Sequence, residues 1–228
     1  MRTTARRKTM EKTQKIATKT LVLVSVLTAL VIVLQLLGSF IRFGMFSITL
    51  VLVPIIIGAA ICGPGAGAWL GFAFGMAVLL SGDAASFMAI DPFGTVATVL
   101  VKGTAAGFLA GLIYKALASA SAKVSANRTP SEKEWAEKTV SALLKYLPVV
   151  VAAVVCPVVN TGVFLIGCKL FFYETITEWG LALGFANAAE YMFFGLAGIN
   201  FIVELVTNMI LVPVIVKLLS INNKVFKF

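Results

Sequence analysis

The chain has 228 residues, 60% of them hydrophobic and 13% charged, with a net charge of +9 and a mean hydropathy of +1.00. A water-soluble domain of this size cannot hide that much apolar surface, so the composition describes an all-α, polytopic membrane protein. The basic residues stand at the ends of apolar segments and not on an aromatic-interleaved soluble face, which argues for topology signals in a lipid bilayer and against nucleic acid as a partner.

Histidine is absent, and the three cysteines, Cys62, Cys156 and Cys168, lack metal-ligand spacing. Disulfide frameworks, zinc sites and histidine-based catalysis therefore have almost no support, and no cofactor is implied.

Residues 1–18 form a basic tail with Arg2, Arg6, Arg7, Lys8, Lys12 and Lys15 against the single acid Glu11. Residues 1–11 have no apolar periodicity and read as lacking structure. The apolar run 21–37 is longer than a signal-peptide h-region and no Ala-x-Ala site follows, so it reads as a retained first span. Residues 38–47 carry Phe40, Arg42, Phe43 and Phe46. One reading is a lid, with Arg42 for an anionic group and the rings for a flat ligand; another is an interfacial aromatic belt with a snorkelling arginine. The sequence leaves both open.

A second span covers about 48–62, and Gly63-Pro64-Gly65 turns the chain into a third at about 66–80. The third span carries Gly67, Gly71 and Gly75, and the fourth, about 93–117, carries Gly103, Gly107 and Gly111. Spacing by four puts each set on one helix face, where another backbone can approach closely. Between them, the link 81–92 holds Asp83 and Asp91 and no basic residue. A polar segment at 119–145 follows, in which Thr129-Pro130-Ser131-Glu132 reads as the start of a short surface helix.

The fifth span lies within 146–172 and contains Cys156-Pro157 and Asn160-Thr161-Gly162. Pro157 frees a carbonyl one turn back, and Asn160 brings two donors and an acceptor, so hydrocarbon penalises this surface unless it faces helices, water or a ligand. A cavity wall and a proline kink braced by a helix–helix hydrogen bond both satisfy that demand. The link 173–190 carries Glu174, Glu178 and Glu190 without lysine or arginine, and a sixth span at about 191–219 leads to the tail 220–228 with Lys224 and Lys227. Six spans put both termini, the Gly63 turn and 119–145 on one side with nearly all basic residues, which makes that side cytoplasmic.

Lys102, Asn160, Asn200, Glu204 and Asn208 lie inside these spans. At about 1.5 Å per residue, Lys102 sits about 14 Å below Phe93, Glu204 about 15 Å below Phe194 and Asn160 about 18 Å below Phe172. Asn200, Glu204 and Asn208 are spaced by four and share one face of the sixth span. A lone lysine at such depth costs at least about 3 kcal/mol, so Lys102 needs a partner. Either Lys102 and Glu204 neutralise each other and pin two helices, or they join Asn160 and Asn200 in binding the polar end of a ligand whose flat part Phe40 and Phe43 cover.

The order of these features resembles the substrate-binding S component of an energy-coupling factor (ECF) vitamin transporter. The resemblance covers about 18–219 and rests on four stretches: Leu23-Val24-Ser25-Val26-Leu27-Thr28-Ala29-Leu30, Gly63-Pro64-Gly65-Ala66-Gly67, Asp91-Pro92-Phe93-Gly94, and Pro157 to Gly162. It implies a six-helix protein of the bacterial cytoplasmic membrane that captures a vitamin or related micronutrient outside. Such a protein works with a transmembrane coupling subunit and two ATPase subunits, and the resemblance assigns Ser25 and Ala29 to contact with the coupling subunit. The chain has no Gly-x-x-x-x-Gly-Lys-Ser/Thr loop of its own. The charged 119–145 segment is longer than a minimal link.

A membrane scaffold or morphogenesis protein has no use for intramembrane Lys102, Asn160, Asn200 and Glu204. A membrane enzyme lacks histidine, a Gly-x-Ser-x-Gly elbow and paired aspartates on facing helices. A proton-coupled secondary transporter has a titratable candidate in Glu204, without a visible internal repeat.

Overall fold

The computed structural model describes residues 2–40, 42–43, 46–47, 50–127 and 134–225. Apart from short connecting turns, these residues are helical, with a minimal antiparallel pairing of Arg42–Phe43 with Phe46–Ser47 in the first loop. Among the described residues five helices are long and apolar enough to cross a membrane, with stretches Thr18–Gly38, Pro64–Ser81, Pro92–Ala126, Glu137–Phe171 and Ala188–Ile221.

Helix α1 runs from Arg2 to Gly38. The start of the chain, expected to lack structure, is thus helical in its backbone. It contains no glycine or proline, and its Arg, Lys, Glu, Ala and Met residues extend a helix already nucleated by the apolar span. Helix α2, Leu52–Cys62, is only 11 residues long. At 1.5 Å per residue it reaches about 16 Å, half the thickness of the hydrocarbon core, so it does not match the full-length second span expected at 48–62.

Gly63 adopts φ 93°, where a side chain would be strained, and Pro64 takes the first turn of α3, Pro64–Ser81. A four-residue helix α4, Ala85–Met88, lies in the following link. Helix α5, Pro92–Ala126, begins with Asp91 as N-cap, its carboxylate accepting from the Gly94 amide at 3.1 Å. Helix α6 runs unbroken from Glu134 to Phe171 through Pro148 and Pro157. The polar segment 119–145 is therefore largely the extension of α5 and α6; the helix start expected at Thr129 to Glu132 lies outside the described residues, and from Glu134 onward the helix is continuous with the fifth span.

Helices α7 (Tyr173–Ala182) and α8 (Ala188–Glu190) fill the last link. The final span opens with a π-helical stretch, Tyr191–Gly198, before α9, Ile199–Val225.

Helix α5 is the centre of the bundle, packed against α3 on one side and α6 on the other, and α6 packs in turn on α9. The two glycine stripes meet each other. A Cβ on Gly71 would strike the carbonyl of Gly103, and one on Gly107 the carbonyl of Gly67. The order of these contacts makes α3 and α5 antiparallel and in backbone contact.

One apolar cluster runs through the bundle, with Leu27, Ile55, Phe74, Val99, Ala153 and Ile215 among its members. A second gathers Phe87, Cys168, Phe172, Ile176, Tyr191 and Leu196 at the end formed by α4, α7, α8 and the π-helical stretch.

Candidate functional site

A cavity of about 50 Å³ lies where the two clusters meet. It sits at the end of the bundle built from the C-terminal turn of α1, the 82–91 link, the first turns of α5, the last turns of α6 and the start of α9. Phe74, Phe87, Phe164 and Phe172 provide its apolar walls. The Phe87 ring stands edge-on to Phe164 at 6.0 Å and to Phe172 at 5.0 Å, a packing that favours ring edges against faces. A smaller chamber of about 30 Å³ adjoins it, lined by Asn160, Thr161, Leu196 and Ala197 and sharing Lys102, Phe164 and Asn200 with the first.

The helices deliver polar groups into this apolar frame. Glu204, 1% exposed, accepts from Asn200 Nδ2 one turn earlier on α9 at 3.1 Å and from Asn160 Nδ2 on α6 at 3.5 Å. Lys102 on α5 is directed between two rings, its Nζ 5.7 Å from the Phe74 centroid and 5.2 Å from that of Phe164. Ring faces carry negative charge density and hold a cation favourably once water is excluded. Glu204 and Asp83 are the carboxylates whose charge acts on Lys102. Among the described residues no direct ion pair joins Lys102 to Glu204, so the lysine is held by rings and by the field of two carboxylates.

On α1, Gln35 donates from Nε2 to Asp83 Oδ2 at 2.7 Å, tying the first helix to the link over the cavity. Thr95 returns its hydroxyl to the Asp91 carbonyl at 2.7 Å. Three buried polar atoms have no hydrogen-bond partner among the described residues: Gln35 Oε1, Thr98 Oγ1 and Asn160 Oδ1. Nearly all buried polar atoms in folded proteins are satisfied, and these three all belong to residues lining the two chambers.

Of the residues singled out in the sequence, Lys102, Asn160, Asn200 and Glu204 are brought together. Phe40 is not: its side chain is 83% exposed and lines neither chamber. The side chains of Arg42 and Phe43 lie outside the described residues. Ser25 and Ala29 are exposed on α1, on the opposite side from the inward-facing Leu27, Val31 and Gln35.

Sequence reasoning missed Gln35, Asp83, Thr98 and the four rings. Gln35 had a signal, since a glutamine inside an apolar run invites the argument made for Asn160. Asp83 was visible only as loop charge, and Thr98 and the rings had none.

A search of curated proteins and one of solved structures find no match to the chain. A family model described as the substrate-specific component of ECF transporters matches residues 19–216, which takes in every helix that frames the cavity. The chain belongs to that family and is a multi-pass, substrate-binding membrane subunit of an energy-coupling factor transporter.

Proposed function

We propose that the protein captures a vitamin or related micronutrient at the outer face of a bacterial cytoplasmic membrane and passes it inward in complex with a transmembrane coupling subunit and two ATPase subunits. The observation that carries this reading is the pair of adjoining chambers, lined between aromatic walls by a lysine, two carboxylates and the three residues that hold unsatisfied polar atoms. A packing core has no use for unsatisfied buried atoms, each costing about 1–3 kcal/mol, whereas a ligand that supplies the missing partners recovers that cost on binding. Lys102, Asn160, Asn200 and Glu204 are the binding residues in this account, joined by Gln35 and Thr98, with Arg42 and Phe43 of the first loop as further candidates.

The chambers are smaller than the 300–1,000 Å³ or so that drug-sized ligands occupy. Seating a vitamin therefore requires the roof around Asp83 and Phe87 to swing outward. Its attachment to α1 through Gln35 makes that helix part of the opening.

The topology that goes with this function has six crossings, of which α2 is the second. Residues 1–18 and 220–228 are cytoplasmic tails, 19–219 the transmembrane domain, and 119–145 a cytoplasmic segment. The acidic links around Asp83 and 173–190, and with them the cavity, then face outward. Lys169 lies on that outer side but in the last turn of α6, where the helix dipole favours a cation. Ser25 and Ala29 offer α1 to the coupling subunit through a small-residue surface that permits close backbone approach.

The experiment is affinity purification of the tagged full chain from detergent-solubilised membranes of its own host. Copurification of a membrane subunit and ATPase subunits is expected, and ATP-dependent accumulation of a small molecule should be lost when the chain is deleted. Uptake that persists under ATP depletion and follows the proton gradient would contradict the assignment.

A further inference from the structure

Three side-chain amides line the two chambers, Gln35 the larger, Asn160 the smaller and Asn200 both, and a carboxylate behind each of the first two sets its orientation. Gln35 turns its NH₂ to the Asp83 carboxylate at 2.7 Å, and Asn160 turns its NH₂ to the Glu204 carboxylate at 3.5 Å. Flipping either amide would set a carbonyl oxygen against a carboxylate oxygen, so the atom left without a partner is in each case the carbonyl, which only accepts. Gln35 is 2% exposed and Asn160 4%, and neither Gln35 Oε1 nor Asn160 Oδ1 has a donor. Thr98, 6% exposed, adds an unpartnered hydroxyl on the Gln35 side. Lys102, which lines both chambers, is the complementary donor, and Phe74 and Phe164 present flat faces beside it.

Resting on the capture reading above, we propose that the site selects a flat nitrogen heterocycle that carries N–H donors on its edge, read by the amide oxygens of Gln35 and Asn160, and an acceptor that receives Lys102. The physical reason is asymmetry. An N–H group meeting a buried acceptor restores a hydrogen bond, while a methyl or ether group in its place leaves the acceptor unsatisfied and desolvated. The rings require only a flat apolar face, so they favour aromatic ligands without distinguishing among them. Discrimination resides in the two amides.

The test uses the purified full chain in detergent. It is incubated with an equimolar mixture of N–H-bearing heterocycles (adenine, cytosine, guanine, thiamin, riboflavin) and N–H-free ring compounds (nicotinate, caffeine, 1,3-dimethyluracil). Free compounds are removed by gel filtration and those retained are identified by mass spectrometry. Retention of at least one N–H-bearing compound and of no N–H-free one is expected. Gln35→Met and Asn160→Leu, compared with the parent at matched melting temperature, should each weaken binding of the retained compound by about tenfold or more. Independently of any variant, converting an edge amino group of that compound to dimethylamino, or methylating its ring N–H, should weaken binding to the parent to a similar degree.

Retention of an N–H-free compound would overturn the donor rule and leave the capture reading standing. Unchanged affinity in both variants would mean that water serves the two oxygens, and the inference would fall. Retention of nothing, with no compound raising the melting temperature, would remove the capture reading and the inference with it.

Discussion

Asn208 on α9 donates from Nδ2 to the carbonyl of Ala153 on α6 at 3.3 Å, deep inside the bundle. Ala153 stands four residues before Pro157, and a proline four residues on has no N–H to give, so this is the carbonyl that Pro157 releases. The asparagine closes the gap the proline opens, and it lies one turn beyond Glu204 on the same face.

Two of the three polar residues on that face therefore sit in separate places, with Glu204 at the cavity and Asn208 at the carbonyl that Pro157 leaves unpaired. Asn208→Leu is expected to destabilise the protein by about 1–3 kcal/mol, the cost of stranding a buried acceptor. The loss should shrink markedly in a Pro157→Ala background, where residue 157 regains its N–H. A double-mutant cycle on thermal or denaturant unfolding in detergent measures the coupling, and strictly additive losses would show that the bond does not serve the released carbonyl.

The contact between α3 and α5 sets a second expectation. A side chain at Gly71 runs into the backbone of Gly103, and backbone cannot move aside as a flexible side chain can. Gly71→Leu should cost about 3 kcal/mol or more, above the usual range for overpacking. Gly162→Ala is the control, because nothing lies within 4 Å of the added methyl. Equal melting temperatures for the two variants would refute the backbone-to-backbone packing.

How far the chain could be read without its structure differs from residue to residue. Lys102, Asn160, Asn200 and Glu204 were legible because hydrocarbon makes each of them costly, and an expensive residue invites an explanation. The glycine spacings were legible as close packing, but no spacing says which helix approaches, and only the structure pairs Gly71 with Gly103. The cavity walls were not legible, since the chain has 17 phenylalanines and nothing local separates the four that line it from the rest. Gln35 and Asp83 meet across 48 positions, a relationship that no periodicity carries. The length of α2 and the continuity of α6 through 134–145 escaped for a related reason. Where an apolar helix stops in a bundle depends on its neighbours as much as on its own composition.

The exposed face of α1 carries a third prediction. Ser25 returns its hydroxyl to Leu21 at 2.9 Å, and Ala29 is exposed, so neither is needed for packing within the chain. Ala29→Trp should leave the melting temperature of the isolated protein and its ligand binding close to the parent, while copurification with the coupling subunit falls by tenfold or so or is lost. A variant that unfolds or loses its ligand in isolation would assign the residue to the interior.

A fourth concerns sidedness. With the native cysteines replaced, Arg128→Cys should resist a membrane-impermeant thiol reagent in intact cells and react after permeabilisation, and a cysteine at Glu178 should do the reverse. Ready labelling of position 128 from outside would invert the proposed topology.

The central claim is that the charged and amide-bearing cavity exists to hold a small molecule. Lys102 and Glu204 line the cavity together, yet among the described residues they form no direct ion pair, and the lysine Nζ lies beside the Phe74 and Phe164 rings. The most direct measurement is native mass spectrometry of the chain purified from its host, alongside the Lys102→Met/Glu204→Gln double variant. The account predicts a one-to-one small-molecule adduct on the parent, released on denaturation, and its loss from a double variant that melts within a few degrees of the parent. A parent without any adduct, or a stable double variant that carries it at the same occupancy, would contradict the account.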